Sequence, residues 1–307
     1  MSSTELKEFI RNKAFELGFT HIGFSNAYKN KEEKLTKWLE NGYHATMQWM
    51  ENRAIERSNI YEYYPDVKTI ISLSINYFTG NAKDQNKFGK ISNYAWGDDY
   101  HKLIKGKLIK LLQLIQKKYP KVNGLTCVDT APIMEKFWAQ KAGIGWIGKH
   151  TNLITKTHGS WVFLGELILN HHIKPDIEFN DDLCGSCTAC LDACPTNAFP
   201  EPYVLDASKC ISYLTIEHRD DFKKNTNLEG WIYGCDICQE VCPWNIKFSQ
   251  NSSEPSFQIR NTLQNKNLKD WELLTEEQFK KIFKGSAIKR TKFKGLKRNI
   301  SAVIRTN

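Results

Sequence analysis

Cys184-Gly-Ser-Cys187-Thr-Ala-Cys190-Leu-Asp-Ala-Cys194-Pro195 opens a cysteine-rich region that runs through Cys210 to Cys235-Asp-Ile-Cys238-Gln-Glu-Val-Cys242-Pro243. The first run has the C-x2-C-x2-C-x3-C-P spacing of a bacterial [4Fe–4S] site. There, three thiolates on one tight loop hold one cubane, and the fourth, before the proline, turns to a second cluster. The second run lacks the middle cysteine, and Cys210 is the thiol left to replace it. Exchanging the fourth ligands gives one cluster to Cys184, Cys187, Cys190 and Cys242, and the other to Cys194, Cys210, Cys235 and Cys238. Two zinc sites could use the C-x2-C pairs, but the first run is a poor zinc spacing. A disulfide framework suits a small secreted chain, not one of 307 residues. Cys127 lies outside the region in an apolar run and reads as a small buried hydrophobe.

The remaining composition sets limits. With 41% hydrophobic residues, 307 residues can bury one large core or two smaller ones. The start, Met1-Ser-Ser-Thr-Glu5, has no basic-then-apolar run of a secretory signal. The longest apolar stretch, Trp161 to Leu169, is interrupted by Gly165 and Glu166 and falls far short of a membrane span. A reduced, cytoplasmic location without a membrane partner is expected, and it suits thiolate-held clusters. The net charge of +9 is unevenly spread. From Lys280 onward there are ten Lys and Arg and no Asp or Glu, interleaved with Phe283 and Phe293. A solvated face normally alternates sign, so this block reads as a surface for a polyanion such as nucleic acid rather than a solubilising tail.

Ahead of the cysteines, helices and strands are interspersed. Leu6, Phe9, Ile10, Ala14 and Leu17 recur at helical spacing behind a Ser2-x-x-Glu5 capping pattern, with Gly18 as the terminator. His21 to Phe24 is a short strand with His21 at its edge. A helix covers 31–40, and Met47-Gln-Trp-Met50 reads as packing. Arg53 and Arg57 fall in a loop, as surface charge. Val67 to Tyr77 is the clearest strand, β-branched and central. Asp98 or Asp99 caps a helix over 100–118 whose buried stripe is Leu103, Ile104, Leu108, Leu111, Leu112 and Ile115. Leu125 to Val128 is a strand ending at Asp129-Thr-Ala-Pro132, with Pro132 in the first turn of the next helix. Gly143 to Gly148 is a glycine-rich turn, not a dinucleotide fingerprint. Asn152–Thr155 and Ser160–Leu169 read as two strands joined at His158-Gly159. A polar linker, 249–256, leads to short helices around 275–283 and the basic tail. The domain reading is 1–175, 176–248 and 249–307.

Two cubanes alone make an electron carrier. The long α/β portion before them implies a second site where the electrons are used. Asp129, at the C-terminal end of a strand, is the best acid for such a site; its plainer role is to cap the following helix. A carboxylic acid there could protonate a leaving oxygen if burial raised its pKa.

Several stretches then resemble one family. They are Tyr94-Ala-Trp-Gly-Asp-Asp-Tyr-His-Lys102, Val128-Asp-Thr-Ala-Pro132, Ala142-Gly-Ile-Gly-Trp-Ile-Gly-Lys-His150, Gly159-Ser-Trp-Val-Phe-Leu-Gly-Glu166 and Cys210-Ile-Ser212, together with the cysteine runs. In this order they resemble the epoxyqueuosine reductases, cobalamin-dependent iron–sulfur enzymes of tRNA modification. The resemblance implies an α+β chain: a nitroreductase-like mixed α/β domain binding base-off cobalamin, a ferredoxin-like domain with two [4Fe–4S] clusters, and a short helical basic tail. By position it places Arg57, Asp129, Leu153, Leu164 and Ser212 against the cobalamin. Asp129 matches the proton donor, and Asp99, Tyr100 and His101 line the same pocket. It implies reduction of epoxyqueuosine to queuosine at the tRNA wobble position. The basic tail would face the anticodon stem-loop, an external ferredoxin- or flavodoxin-type reductant would supply electrons, and the chain would act as a monomer. The competing functions are a reductive dehalogenase-like enzyme acting on a small molecule and a non-catalytic iron–sulfur carrier. The family's longer members carry a helical-repeat extension beyond the length of this chain.

Overall fold

The computed structural model describes residues 3–29, 33–80, 89–264 and 266–306; Ser2 of the expected capping pattern and Lys31 lie outside them. The first part comprises α1 (Ser3–Glu16), β1 (His21–Asn26), α2 (Glu33–Glu40), α3 (Gln48–Glu51), α4 (Ala54–Ser58), α5 (Ile60–Tyr63), β2 (Thr69–Asn76) and β3 (Lys90–Ile91). It continues with α6 (Tyr100–Lys118), β4 (Gly124–Cys127), α7 (Glu135–Lys141), β5 (Trp146–Ile147), β6 (Leu153–Ile154) and β7 (Val162–Leu169). The cysteine region holds α8 (Ala189–Asp192), α9 (Ile211–Ile216), β8 (Trp231–Tyr233), α10 (Ile237–Glu240) and α11 (Pro243–Phe248). Then follow α12 (Leu268–Glu272), α13 (Glu276–Ile282) and α14 (Lys292–Arg305).

The β-branched run forms β2, buried along its whole length because both faces are covered. It lies inside an antiparallel sheet of order β1-β2-β7-β4. The pleat sends alternate residues to opposite faces. Ile71, Leu73, Leu167 and Leu169 pack with Ile104, Leu108 and Leu111 of α6 and with Leu6 and Ile10 of α1. Ile70, Cys127 and Ile168 pack with Trp138 of α7 on the other side. Gly165 allows α6 to lie directly on the sheet: a Cβ there would come within 2.9 Å of Ile104 and 3.0 Å of Leu108.

Some expectations change. The helix after Asp129 begins at Glu135, so Pro132 is not in its first turn; a turn intervenes because Asp129 itself is left-handed, with φ 51°. β6 pairs with β5 rather than forming a hairpin with β7, although Thr155 and Gly159 bridge at the turn. Arg57 is not in a loop: it closes α4 and is buried. The 249–256 linker is tied down, with Ser252 N–H donating to Phe78 O at 2.6 Å and its hydroxyl to Asn76 O at 2.7 Å.

The tail builds a core with the cysteine region and with an early segment. Ile91, Ala95 and Trp96 pack with Ile211, Trp231, Phe283, Leu296 and Ile300, and β3 pairs in parallel with β8. Asn299 of α14 is fully buried and donates to Thr215 O at 2.8 Å and Ile232 O at 2.9 Å. Replacing it with alanine removes a buried donor from each carbonyl, Thr215 O keeping the Thr291 hydroxyl at 3.0 Å, and urea unfolding should report a loss of about 2 kcal/mol. An unchanged midpoint would show that water replaces the amide without cost.

Candidate functional site

The cysteines form two adjoining groups. Burial, then the neighbouring Cys242, Cys184 and Cys187, push the Cys190 thiol up to about 11. Cys242 is raised by burial and by Cys184 and Cys187. In the other group Cys210 is raised by burial and Cys194, and Cys235 by burial, Cys238 and Cys210. Cys238 is raised by burial and then by the charges of Cys210, Asp236, Cys190 and Cys194, so the two groups lie within electrostatic reach of each other. Such clustered thiols favour deprotonation only beside a cationic centre. Among the described residues no three His, Cys, Asp or Glu side chains converge on a single ion. A cubane takes its four thiolates at four different irons, so single-ion convergence is not its requirement.

The motifs between β5 and β7 clasp these loops. Lys149 donates to Gly185 O at 2.6 Å and Cys187 O at 2.9 Å. Asn245, after Cys242-Pro-Trp, accepts Ser160 N–H at 2.6 Å and donates to Ser160 Oγ and Gln239 O at 2.8 Å each. Gly159, at φ 59°, leaves no room for a side chain: a Cβ would sit 2.0 Å from Asn245 Oδ1.

Asp129 stands where β4 ends, beside the start of α6. Its Oδ2 accepts from His101 Nε2 at 2.7 Å and Tyr100 Oη at 3.1 Å. His101 Nδ1 meets Asp99 Oδ1 at 2.7 Å, and Asp99 also caps α6 through the His101 N–H. Tyr100 stacks on Phe163, centroids 4.1 Å apart, which fixes the start of the helix against β7. Burial alone would raise Asp129, but the His101 hydrogen bond and charge, the Tyr100 hydroxyl and the Arg290 charge hold it below the usual carboxylate range. Burial would lower His101, yet its two carboxylate partners raise it to about 9. The proton at neutral pH therefore sits on the imidazole, held between Asp99 and Asp129. The His101 value in the fold exceeds the free 6.5, so this ion pairing is complete below pH 6.5 and lost as pH rises through about 9. A pH–rate profile should fall on its alkaline side near that value, and His101→Gln should abolish that limb. A limb unmoved by the substitution would place the titration elsewhere.

The other expected site residues fall as follows. Leu153 packs with Ala139, Ile144 and Leu164 in one apolar cluster. Arg57 is held by Trp49 O at 3.3 Å and Arg53 O at 3.2 Å and lies over the Trp49 ring. Ser212 is the second residue of α9, which Cys210 precedes as its N-cap. The sequence reading passed over Lys136, His150, Glu135 and Glu166. Lys136 donates to Thr151 O and Asn152 Oδ1, both at 3.0 Å, and senses Glu135, Cys238 and Asp129. His150 accepts Asn152 N–H at Nδ1, so its other nitrogen, buried and without a partner among the described residues, carries the hydrogen. The signal for Glu166 was its place inside an apolar strand.

The basic tail adjoins this site. Asp99 N–H donates to Gly285 O at 2.8 Å. Arg260 joins Asp98 to the carbonyls of Ile282, Lys284 and Gly285. Some tail charges are engaged within the protein: Arg290 pairs with Glu217, and Arg298 donates to the carbonyls of Leu214, His218 and Asp220.

Comparison with known proteins follows the same lines. Residues 183–245 match the family model "4Fe-4S double cluster binding domain", and residues 57–130 match "Epoxyqueuosine reductase QueG, DUF1730". The epoxyqueuosine reductase of Cellulophaga algicola is 46% identical over 297 residues, covering 95% of this chain and 96% of that protein. A crystal structure of epoxyqueuosine reductase with an epoxyqueuosine-modified tRNA-Tyr stem loop superposes with TM-score 0.89 at 28% identity, covering 99% of this chain and 82% of that one. The Bacillus subtilis enzyme, solved with its catalytic aspartate loop swung out of the active site, gives TM-score 0.86 at 26% identity over 99% and 82% of the two chains. This chain belongs to the epoxyqueuosine reductase family.

Proposed function

We propose that this chain reduces epoxyqueuosine to queuosine at the wobble position of tRNA, with Asp129 and His101 delivering a proton to the departing oxygen. The observation that carries the reading is the loaded imidazole, bridged between Asp99 and Asp129 beside a basic tail that contributes Arg290 to the field at Asp129. The net conversion consumes two electrons and two protons and releases water. Since Asp129 is ionised and His101 carries the proton, Asp129 acts by orienting His101 and relaying its proton, not by storing one. This refines the expectation of a carboxyl raised by burial.

The two cysteine groups support the ligand sets Cys184, Cys187, Cys190, Cys242 and Cys194, Cys210, Cys235, Cys238. Clusters there would deliver electrons singly. The residues also fit a corrinoid: Leu153 and Leu164 give an apolar wall of the kind the face of such a ring packs on. Arg57, Asp129, Leu153, Leu164 and Ser212 are the residues we assign to hold cobalamin, which supplies a strongly reducing metal centre when bound. We read 1–175 as the nitroreductase-like cofactor and substrate part, 176–248 as the ferredoxin-like part, and 249–307 as the basic part. An anticodon loop can splay its wobble base into a pocket at modest cost, and the tail's lysines suit the stem phosphates. A basic surface next to the proton site favours this substrate over a small organohalide. The reading further takes the chain as a cytoplasmic monomer reduced by a ferredoxin- or flavodoxin-type partner; among the described residues no helix is long and apolar enough to cross a membrane.

The test is nucleoside mass spectrometry of epoxyqueuosine-modified tRNA incubated with the reduced holoenzyme. Conversion to queuosine is expected. Unaltered epoxyqueuosine, with both clusters and cobalamin loaded, would overturn the assignment.

A further inference from the structure

β7 carries a carboxyl group where its burial provides no conventional partner. Glu166 is fully buried, and its register neighbours are Ser72 on β2 and Cys127 on β4. Neither oxygen meets a hydroxyl, amide or cationic donor among the described residues. The group in side-chain hydrogen-bonding contact with it is Glu135, the first residue of α7. Two carboxyl groups share a hydrogen bond only when one keeps its proton. Burial, and then the Glu135 charge, push Glu166 well above the carboxylate range; burial, and then the Asp129 charge, push Glu135 up as well. Glu166 is the deeper of the two and keeps the proton. Lys136 and Asp129 act on Glu135 from its own side, Tyr100 of α6 lies within the field of Glu135, and Lys105 of α6 acts on Cys127. Lys136 is already anchored on Thr151 and Asn152, so it does not displace the shared proton.

Glu135 has a second contact. Its Oε1 accepts the backbone N–H of Asp129 at 2.5 Å. Asp129 is held at φ 51°, a left-handed conformation that an L-residue keeps only when its surroundings fix it. The Asp129 side chain is tied to His101 and Tyr100, and Ala131 and Ile133 pack with Trp138. The backbone of the turn has local bonds, Thr130 N–H to Val128 O at 2.5 Å and Ile133 N–H to Ala131 O at 2.8 Å, and the Glu135 bond is the one that links the Asp129 N–H to α7.

We propose that Glu135 and Glu166 form a catch that holds the Asp129 turn in the site, with Glu166 as the neutral acid donating to Glu135 and Glu135 fixing the Asp129 N–H. Both are positioning residues, acting through Asp129. The inference rests on Asp129 taking part in the proton transfer proposed above. A turn that can leave the site, as in the swung-out Bacillus subtilis structure, requires a device that retains it, and this pair is placed to do so.

The experiment combines amide hydrogen exchange over residues 128–134 with steady-state kinetics on the holoenzyme, using modified stem-loop RNA. Glu135→Ala is expected to speed exchange in that segment and lower kcat by about 100-fold, the usual effect of a misplaced catalytic group, while KM moves by less than about threefold. Glu166→Leu should follow it. Glu166→Gln keeps a neutral donor and should restore both slow exchange and turnover; this rescue is one that a merely space-filling role would not show. If Glu135→Ala does not fold, the Glu166→Leu and Glu166→Gln pair decides the question alone. Unchanged exchange in Glu135→Ala, or equal damage from Gln and Leu at 166, overturns the catch. Faster exchange with unchanged turnover upholds it and instead removes Asp129 from the chemistry.

Discussion

Replacing Asp129 with asparagine is expected to lower turnover on epoxyqueuosine-modified tRNA by about 10³-fold, the middle of the range for losing a positioned proton-transfer group. Asparagine preserves the shape and can still occupy the turn, since it tolerates a left-handed backbone nearly as well as aspartate. What it removes is the negative charge. His101 then loses the negative charge at Nε2, retains only that of Asp99, and its pKa falls back toward the ordinary value. The proton is no longer held at the site at neutral pH. Cluster absorbance and stem-loop affinity should be unchanged; bound cobalamin is measured alongside, since Asp129 is one of the residues assigned to it, and turnover is compared per cobalamin bound. Near-normal turnover in a fully loaded variant would mean that the leaving oxygen takes its proton from elsewhere.

The second large effect is expected at Cys238. Cys238→Ala should reduce iron from about eight atoms per chain to about four, and queuosine formation should cease, since a cubane with three protein ligands is easily lost. Cys238 is chosen because it senses thiols of both groups. Cys127→Ala is the control. That thiol is buried against Glu166 and Tyr63, away from the paired motifs, and its loss should leave iron content and turnover intact. Iron content unaffected by Cys238→Ala would break the proposed ligand set, whereas loss of iron with retained turnover would separate that cluster from the electron path.

Much of this was readable in the sequence. Local signals are strong where one residue type has one physical use: the β-branched run at Val67, the 100–118 stripe behind its Asp99 cap, and the cysteine spacings. What was missed depends on long-range partners. Arg57 reads as surface charge because nothing nearby in the sequence shows that Trp49 will stack beneath it. The helix after Asp129 was placed early because Pro132 is a good first-turn residue, and the left-handed Asp129 that delays it is imposed from Glu135 and His101. Glu166 appeared only as an interruption of an apolar run. Its meaning depends on a carboxyl group of α7, which packs on that face of the sheet. The tail's charge count overstated its free charge, since Arg290 is paired with Glu217 at the surface and Arg298 donates to the carbonyls of Leu214, His218 and Asp220.

The pairing of β3 with β8 has a consequence for how the chain is made. Ser92 and Asp236, 144 positions apart, are hydrogen-bonded across this junction. Trp96 and Ile91 share their core with residues as late as Val303. A ribosome delivers the early segment long before its partners exist. The antiparallel sheet can close once β7 has emerged, but the 89–97 segment must wait with its tryptophan uncovered until α14 leaves the exit tunnel. Final closure is thus postponed until α14 has been made, and every cysteine of the two runs has been synthesised by then. Iron–sulfur assembly and the last packing step can therefore coincide, and a cell short of iron would be expected to accumulate a nascent chain with that apolar surface open to chaperones or proteases.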